Sequence, residues 1–357
     1  MKKWLLVVLA LVLVCAIALC IFLCLRGCTP SDGPDESNGG NGTQGSAESN
    51  TEGNGEGNTE STEKAYNRVG DKILFGSYPQ SEVQDAALLE GLGAKQGTLP
   101  TEGSSGGDGW VSYGYFKNGV ADNYMWYKDV ELGGERYRGV YFTFYRSVWC
   151  DYSPEGDGST YQDENGYLTS NVYWFKYEPV VWSVVDEADG VATIVCDMII
   201  DSHNYDFNSN GVGCNYASST IRAWLNDTFI NTAFTSLERS IIETTVVDNS
   251  AASTNDPNNV FACEDTEDKV FLLSVAEIDA YLTSPEARQR KNTDYARSQG
   301  SFTSGNADYL GNGQWKLRSP YRTVPGTAHD VLENGEVRNS YIGLTYYGVV
   351  PALRIKL

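Results

Sequence analysis

Histidine is nearly missing from this 357-residue chain, which holds only His203 and His329. A catalytic histidine needs a nucleophile within hydrogen-bond reach and an acid to orient it. Neither residue sits in a nucleophile motif such as GxSxG. His329-Asp330 falls on a predicted strand, where neighbours point to opposite faces and cannot form a dyad. Both histidines therefore read as structural or surface residues. Basic charge is scarce too: 26 Lys and Arg stand against 47 Asp and Glu, a formal net charge of −21. Such a surface repels phosphate backbones, which excludes a nucleic-acid partner. No CxxC occurs among the eight cysteines, which removes zinc-ribbon and thioredoxin-type chemistry. The chain also has no internal repeat.

Residues 4–25 lack charge altogether. About 20 apolar residues span a bilayer as a helix, so this stretch predicts a transmembrane anchor or signal segment within residues 1–28. Lys2 and Lys3 precede it and orient the remainder outward. Cys28 after Gly27 offers a lipoprotein alternative, and a cleaved signal is a third. Each places the rest of the chain outside the cytoplasm, and the first two hold it at the cell membrane. Residues 29–64 hold no aromatic residue and consist largely of Ser, Gly, Asn, Thr and Glu. That composition cannot offset chain entropy, which predicts a disordered linker.

From residue 65 to 357 the composition becomes that of one globular domain. Val69–Gln80 reads as a turn, a short strand and a proline-terminated exit. Residues 84–92 suggest a brief helix. Trp110–Phe116, Tyr124–Leu132, Tyr137–Trp149 and Tyr167–Lys176 are aromatic strands between glycine turns, an antiparallel elaboration on the core. Their tyrosines and tryptophans serve packing, and they also suit a carbohydrate-binding face. Val180–Val185 and Ala192–Ile200 form a hairpin about Asp189-Gly190. Ser219 caps a helix whose Ile221, Trp224, Leu225 and Phe229 repeat at helical spacing. Thr235…Glu238 and Ser274…Glu277 are capping boxes, and Ser284-Pro285 opens another short helix. Gln314–Arg318 is a strand, and Ala328–Leu332 with Glu336–Tyr341 forms a hairpin about Asn334-Gly335. Val349–Ile355 closes the chain, and Pro351 within it argues for an edge position or a bulge.

The strings VGDKILFGSYPQ, YWFKYEPVVWSVV, ASSTIRAWLNDTF, DKVFLLS, TDYAR, WKLRSP and GVVPALRIKL resemble an uncharacterised domain family of exported proteins in Gram-positive bacteria. That family is in turn distantly similar to the C-type lectin-like fold of the formylglycine-generating, sulfatase-modifying factors. The resemblance implies a lectin-like mixed sheet with short flanking helices; with the aromatic-rich β elaboration and the preceding transmembrane helix read above from the residues, the expected fold class is α+β. It implies no established activity. The enzymes need a reactive thiol pair near the C-terminus, and this chain has no cysteine after Cys263.

Several residues could carry chemistry. Asp206, Asn208 and Asn210 followed by Gly211 match the opening of a calcium loop. An EF-hand would then need Glu at the twelfth place, where Ala217 stands, so the choice lies between another kind of Ca2+ site and a polar surface loop. No other cofactor is expected. Cys214 with Cys263 is the preferred disulfide among the three pairings of the four later cysteines, with Cys150 and Cys196 as complement or as free thiols. Asp151, Glu155, Asp157, Asp163 and Glu164 could include a glycosidase pair, but their glycines suggest a solvated loop. Arg222 and Trp224 read as core-holding residues. Trp315 and Arg318 read likewise, with a ligand role as the lesser reading. The loop from Ser319 to Thr327 makes Trp315, Arg318, Tyr321, Arg322 and His329 the candidate ligand-binding set. The expected function is a membrane-tethered extracellular binding module for a glycan or a cell-surface protein. A glycan-directed hydrolase and a structural surface domain are the alternatives.

Overall fold

The computed structural model describes residues 65–101, 106–113, 115–117, 120–122, 125–143, 165–206 and 215–357. The segment 4–25, the linker 29–64, Cys150, the carboxylates at 151–164, and Asn208, Asn210 and Cys214 lie outside the described residues.

The described residues begin with β1 (Asn67–Val69) and β2 (Lys72–Glu82), followed by helix α1 (Ala86–Gly93). Then come β3 (Val111–Ser112), β4 (Tyr115–Lys117), β5 (Val120–Asp122), β6 (Met125–Leu132), β7 (Glu135–Phe142) and the 17-residue β8 (Val172–Ala188). After β9 (Val191–Cys196), β10 (Met198–Ile199) and β11 (Asp201–Ser202), α2 runs from Thr220 to Ala233. Its middle, Leu225–Phe229, is a π-helical turn between two α-helical segments. Next are α3 (Ser236–Ile241), β12 (Thr245–Val247), β13 (Thr266–Asp268), β14 (Val270–Phe271), α4 (Val275–Tyr281), α5 (Pro285–Arg288), β15 (Lys291–Asn292) and α6 (Asp294–Ser298). The chain closes with β16 (Trp315–Pro320), β17 (Thr327–Val331), β18 (Val337–Tyr341), β19 (Gly348–Val349) and β20 (Ala352–Lys356).

Strand β8 organises the largest sheet. One edge carries β2, from Lys72 opposite Ser183 to Glu82 opposite Phe175. The other edge is shared end to end by β7, at Val172–Lys176, and β9, at Trp182–Ala188. Beyond β7 lie β6 and β3, and beyond β9 lie β20 and β14. Sequence reading ends one strand at Lys176 and begins another at Val180, but the two are one strand with Pro179 inside it, although proline cannot donate to a ladder. The strand stays whole because the register of β2 shifts between Leu74 and Ser77, beside Pro179, so the proline sits at a bulge. A second sheet has the order β11-β19-β16-β17-β18.

The turn chemistry acts as expected. Asp189 and Gly190 both take positive φ, +52° and +75°, as a two-residue hairpin with right-handed strand twist requires. Asn334-Gly335 turns β17 into β18, with the Leu332 amide donating to the Glu336 carbonyl at 2.8 Å. Both capping boxes are closed. Ile221, Leu225 and Phe229 are fully buried on α2. They join Phe75, Trp182, Phe234, Leu353 and Ile355 in one hydrophobic core, where Phe75 and Phe234 lie 4.8 Å apart.

Pro351 has a different role from the one predicted. It lies between β19, a strand of the five-stranded sheet, and β20, which is an interior strand between β14 and β9. The proline marks where the chain crosses from one sheet to the other, and its carbonyl accepts the Cys196 amide at 3.0 Å.

The expected fold class needs correction. The described residues are sheet-rich, with 38% strand and 22% helix. Among them no helix is long and apolar enough to cross a membrane. Even Thr220–Ala233 extends only about 21 Å at 1.5 Å per residue, short of the ~30 Å hydrocarbon core. The described residues thus give no support to the expected transmembrane helix or to the single-pass membrane localisation.

Candidate functional site

The Gly133-Gly134 turn fixes the register of β6 and β7 and sets Asp129 directly opposite Arg138. Arg138 is 5% exposed. Its Nε and Nη2 donate to Asp129 Oδ1 and Oδ2 at 2.8 and 2.9 Å, a two-pronged bond that suits the planar guanidinium. Asp129 also accepts from Arg136 at 2.8 Å and from the Tyr177 hydroxyl at 2.9 Å. Burial by itself would raise the Asp129 carboxyl, but the two arginines outweigh it and hold its pKa below the usual range. Burial likewise opposes the Arg138 charge, and Tyr295, Asp129 and Tyr177 together overcome it and push its pKa well up.

The guanidinium lies 4.3 Å from the centre of the Tyr127 ring, and its Nη1 donates to the Tyr295 hydroxyl at 3.3 Å. Tyr295, on α6, shares a hydrogen bond of 2.9 Å with Tyr113. Tyr78 of β2 donates to Asp201 of β11 at 2.7 Å. Burial, followed by the Asp201 charge, raises the Tyr78 pKa well above normal, which keeps the phenol protonated as a donor. His203 follows β11, its ring 5.1 Å from that of Trp224 on α2. Its Nδ1 stands 2.7 Å from the Asn204 carbonyl, a contact that requires the proton on Nδ1.

These side chains line a cavity of about 170 Å³, together with Ser112, Thr228 and Thr232. Trp224, Thr228 and Thr232 reach it from α2, across the π-helical turn, a distortion often found at functional sites. Two larger depressions of about 810 and 720 Å³ are more open. The smaller cavity is the better site because buried charged, phenolic and indole groups converge on it. Aromatic walls can cover the C–H face of a ligand while Asp201, Arg138 and His203 address its polar groups. Among the described residues no group of three or more His, Cys, Asp or Glu is arranged to hold a metal ion.

His203 and Trp224, read from sequence as structural and core-holding, line the cavity, whereas the residues singled out as ligand candidates lie elsewhere. Trp315 is wholly buried in β16, its indole donating to the Arg288 carbonyl at 3.1 Å. Arg318 is 1% exposed and donates to the carbonyls of Leu272 and Asp248 at 2.8 and 2.9 Å and to Glu277. Arg222 pairs with Asp268 at 2.8 Å. Tyr321 meets His329 edge to face at 5.4 Å, and burial lowers the His329 pKa. Arg322 pairs with Asp256 at 3.1 Å on the surface. The five candidate ligand residues thus divide into a buried pair, the half-buried Tyr321 and His329, and the exposed Arg322, and none lines the cavity. Asp206 is buried, its amide 3.2 Å from the Ile342 carbonyl. Cys196 is a buried free thiol, and Cys263 is a free, half-buried one. The partner expected for Cys263 lies outside the described residues.

The cavity was partly readable. Asp129 and Arg138 are equidistant from Gly133-Gly134, so a two-residue hairpin places them opposite each other. His203 and Trp224 carried no such signal.

No curated protein and no solved structure matches the chain. Residues 189–357, from the β8–β9 turn to the last residue, match the family model of a domain of unknown function, DUF6273.

Proposed function

We propose that this chain is a carbohydrate-binding module and that the cavity between Tyr127, Arg138, His203 and Trp224 receives one sugar unit. The observation that carries this reading is the convergence of four tyrosines and a tryptophan with Asp201, Arg138 and His203 around one small cavity. A sugar ring presents C–H groups on its faces and hydroxyls at its edge. The first suits Tyr and Trp rings, and the second suits a carboxylate, a guanidinium and an imidazole. The Arg138 guanidinium is already fixed by Asp129 and stacked on Tyr127, so little side-chain freedom is lost on binding. The overall charge of −21 favours neutral ligands there over polyanions.

The test is a glycan array probed with the full 357-residue chain and with Tyr127→Ala. Tyr127 is only partly buried, so its loss leaves the core intact. The proposal predicts selective binding that Tyr127→Ala abolishes. A silent array, or binding indifferent to Tyr127→Ala, contradicts it.

A further inference from the structure

The open depression of about 720 Å³ has a different character. Lys72, Ser183, Asp197, Arg290, Lys291 and Asn312 are among the groups that line it. Arg290 is 7% exposed. Its Nε donates to the Cys196 carbonyl at 3.1 Å, and its Nη1 donates to the Ala287 and Gln289 carbonyls at 2.8 and 2.9 Å. Carbonyl dipoles satisfy those protons without neutralising the charge. Among the described residues no carboxylate lies within 4.0 Å of Arg290 or of Lys291, and Nη2 of Arg290 has no protein acceptor. Burial lowers the Arg290 pKa, with the Asp197 charge opposing that from a distance.

Asp197 is engaged elsewhere. Its Oδ2 holds Lys72 Nζ at 2.7 Å, and its Oδ1 accepts from Ser183 Oγ. Lys72 also donates to Ser183 at 2.6 Å. Three cations and one committed carboxylate therefore meet at this depression, in a chain whose formal charge is −21. Burying a guanidinium without a counter-charge is costly, and its planar fork matches a carboxylate or a phosphate.

We propose that this depression binds an oxyanion group, carboxylate or phosphate, carried by a ligand. Arg290 supplies the fixed charge and Lys291 the exposed one. The site is independent of the aromatic cavity and holds or fails separately from the sugar-binding reading.

The test is calorimetric titration of the full chain with inorganic phosphate and, separately, with sodium glucuronate, at low and high salt. Wild type, Lys291→Glu and Lys291→Arg are compared. Lys291 is exposed, so these variants leave the fold in place. At least one anion is expected to saturate the site. Charge reversal at Lys291 should weaken binding about five- to tenfold, the sum of a lost attraction and a new repulsion. Lys291→Arg should retain binding, and added salt should weaken it. Saturation by phosphate alone, by glucuronate alone or by both supports the site and identifies the group it takes. Saturation by neither, or equal binding to wild type and Lys291→Glu, overturns it.

Discussion

Glu277 closes the capping box of α4 and, with the same carboxylate, receives both terminal nitrogens of Arg318. Its Oε2 accepts the Ser274 amide at 2.9 Å and also Arg318 Nη1, while Oε1 accepts Nη2 at 2.8 Å. One side chain thus ties the first turn of α4 to β16 in the five-stranded sheet. Truncating one partner of such a pair leaves the other without its counter-charge. Glu277→Ala should cost about 3–5 kcal/mol, because Arg318 is then buried and unpaired. Glu277→Gln keeps an acceptor and should cost less. Urea unfolding of both variants checks the order, and equal losses would contradict it.

Gly335 should be intolerant of any side chain. Its φ is +87°, and a Cβ there would stand 1.8 Å from the Pro285 carbonyl oxygen. Gly335→Ala strains the β17–β18 turn and forces α5 away, so a loss of more than about 1 kcal/mol is expected. Gly190 also has positive φ but open space around it, so Gly190→Ala carries the backbone strain alone. Thermal melts should place Gly335→Ala well below Gly190→Ala.

Lys316 predicts an alkaline signature. It is fully buried, with its ammonium 3.9 Å from the Tyr347 ring centre, and burial brings its pKa down to about 8 from 10.5. Between those values the unfolded chain holds a proton that the native chain has released. The Lys316 contribution to stability therefore rises with pH across that window, by up to about 1.4 kcal/mol per pH unit. The stability difference between wild type and Lys316→Met, measured at about pH 7.5, 8.5 and 9.5, should drift in favour of wild type as pH rises. A constant difference would contradict the assignment.

Asp129 predicts the opposite, acidic signature. Its pKa is depressed in the folded chain, so its contribution is complete above the unfolded value of 3.8 and is lost as pH falls through the folded one. At neutral pH Asp129→Asn should cost about 3–5 kcal/mol, because Arg138 loses its counter-charge. That cost should shrink in acid, and denaturant midpoints at neutral and acidic pH give the comparison.

Much of the fold follows from local chemistry. Gly133-Gly134, Asp189-Gly190 and Asn334-Gly335 fix three hairpins, because each glycine takes positive φ where the turn needs it. Thr235, Ser274 and Ser284 open helices through side-chain caps visible as spacings. Two prolines show where local chemistry stops deciding. Pro179 and Pro351 have the same local meaning, a missing donor. One sits at a bulge inside β8 and the other between two sheets, and only partners distant in sequence decide which. Arg318 and Trp315 were read both as core and as ligand residues, and burial places them in the core. The cavity was hardest to foresee because it draws on β2, β3, β6, β7, β11, α2 and α6. Its register across β6 and β7 was local, but the approach of α6 and β11 was not.

The central claim is that Tyr127, Trp224 and Arg138 form a sugar-binding wall. Saturation-transfer NMR tests this most directly: aromatic protons of the full chain are irradiated, and the C–H protons of a candidate sugar are observed. The account predicts transfer concentrated on one face of the sugar ring and lost in Tyr127→Ala. No transfer to any sugar tried, or transfer unchanged in Tyr127→Ala, would contradict it.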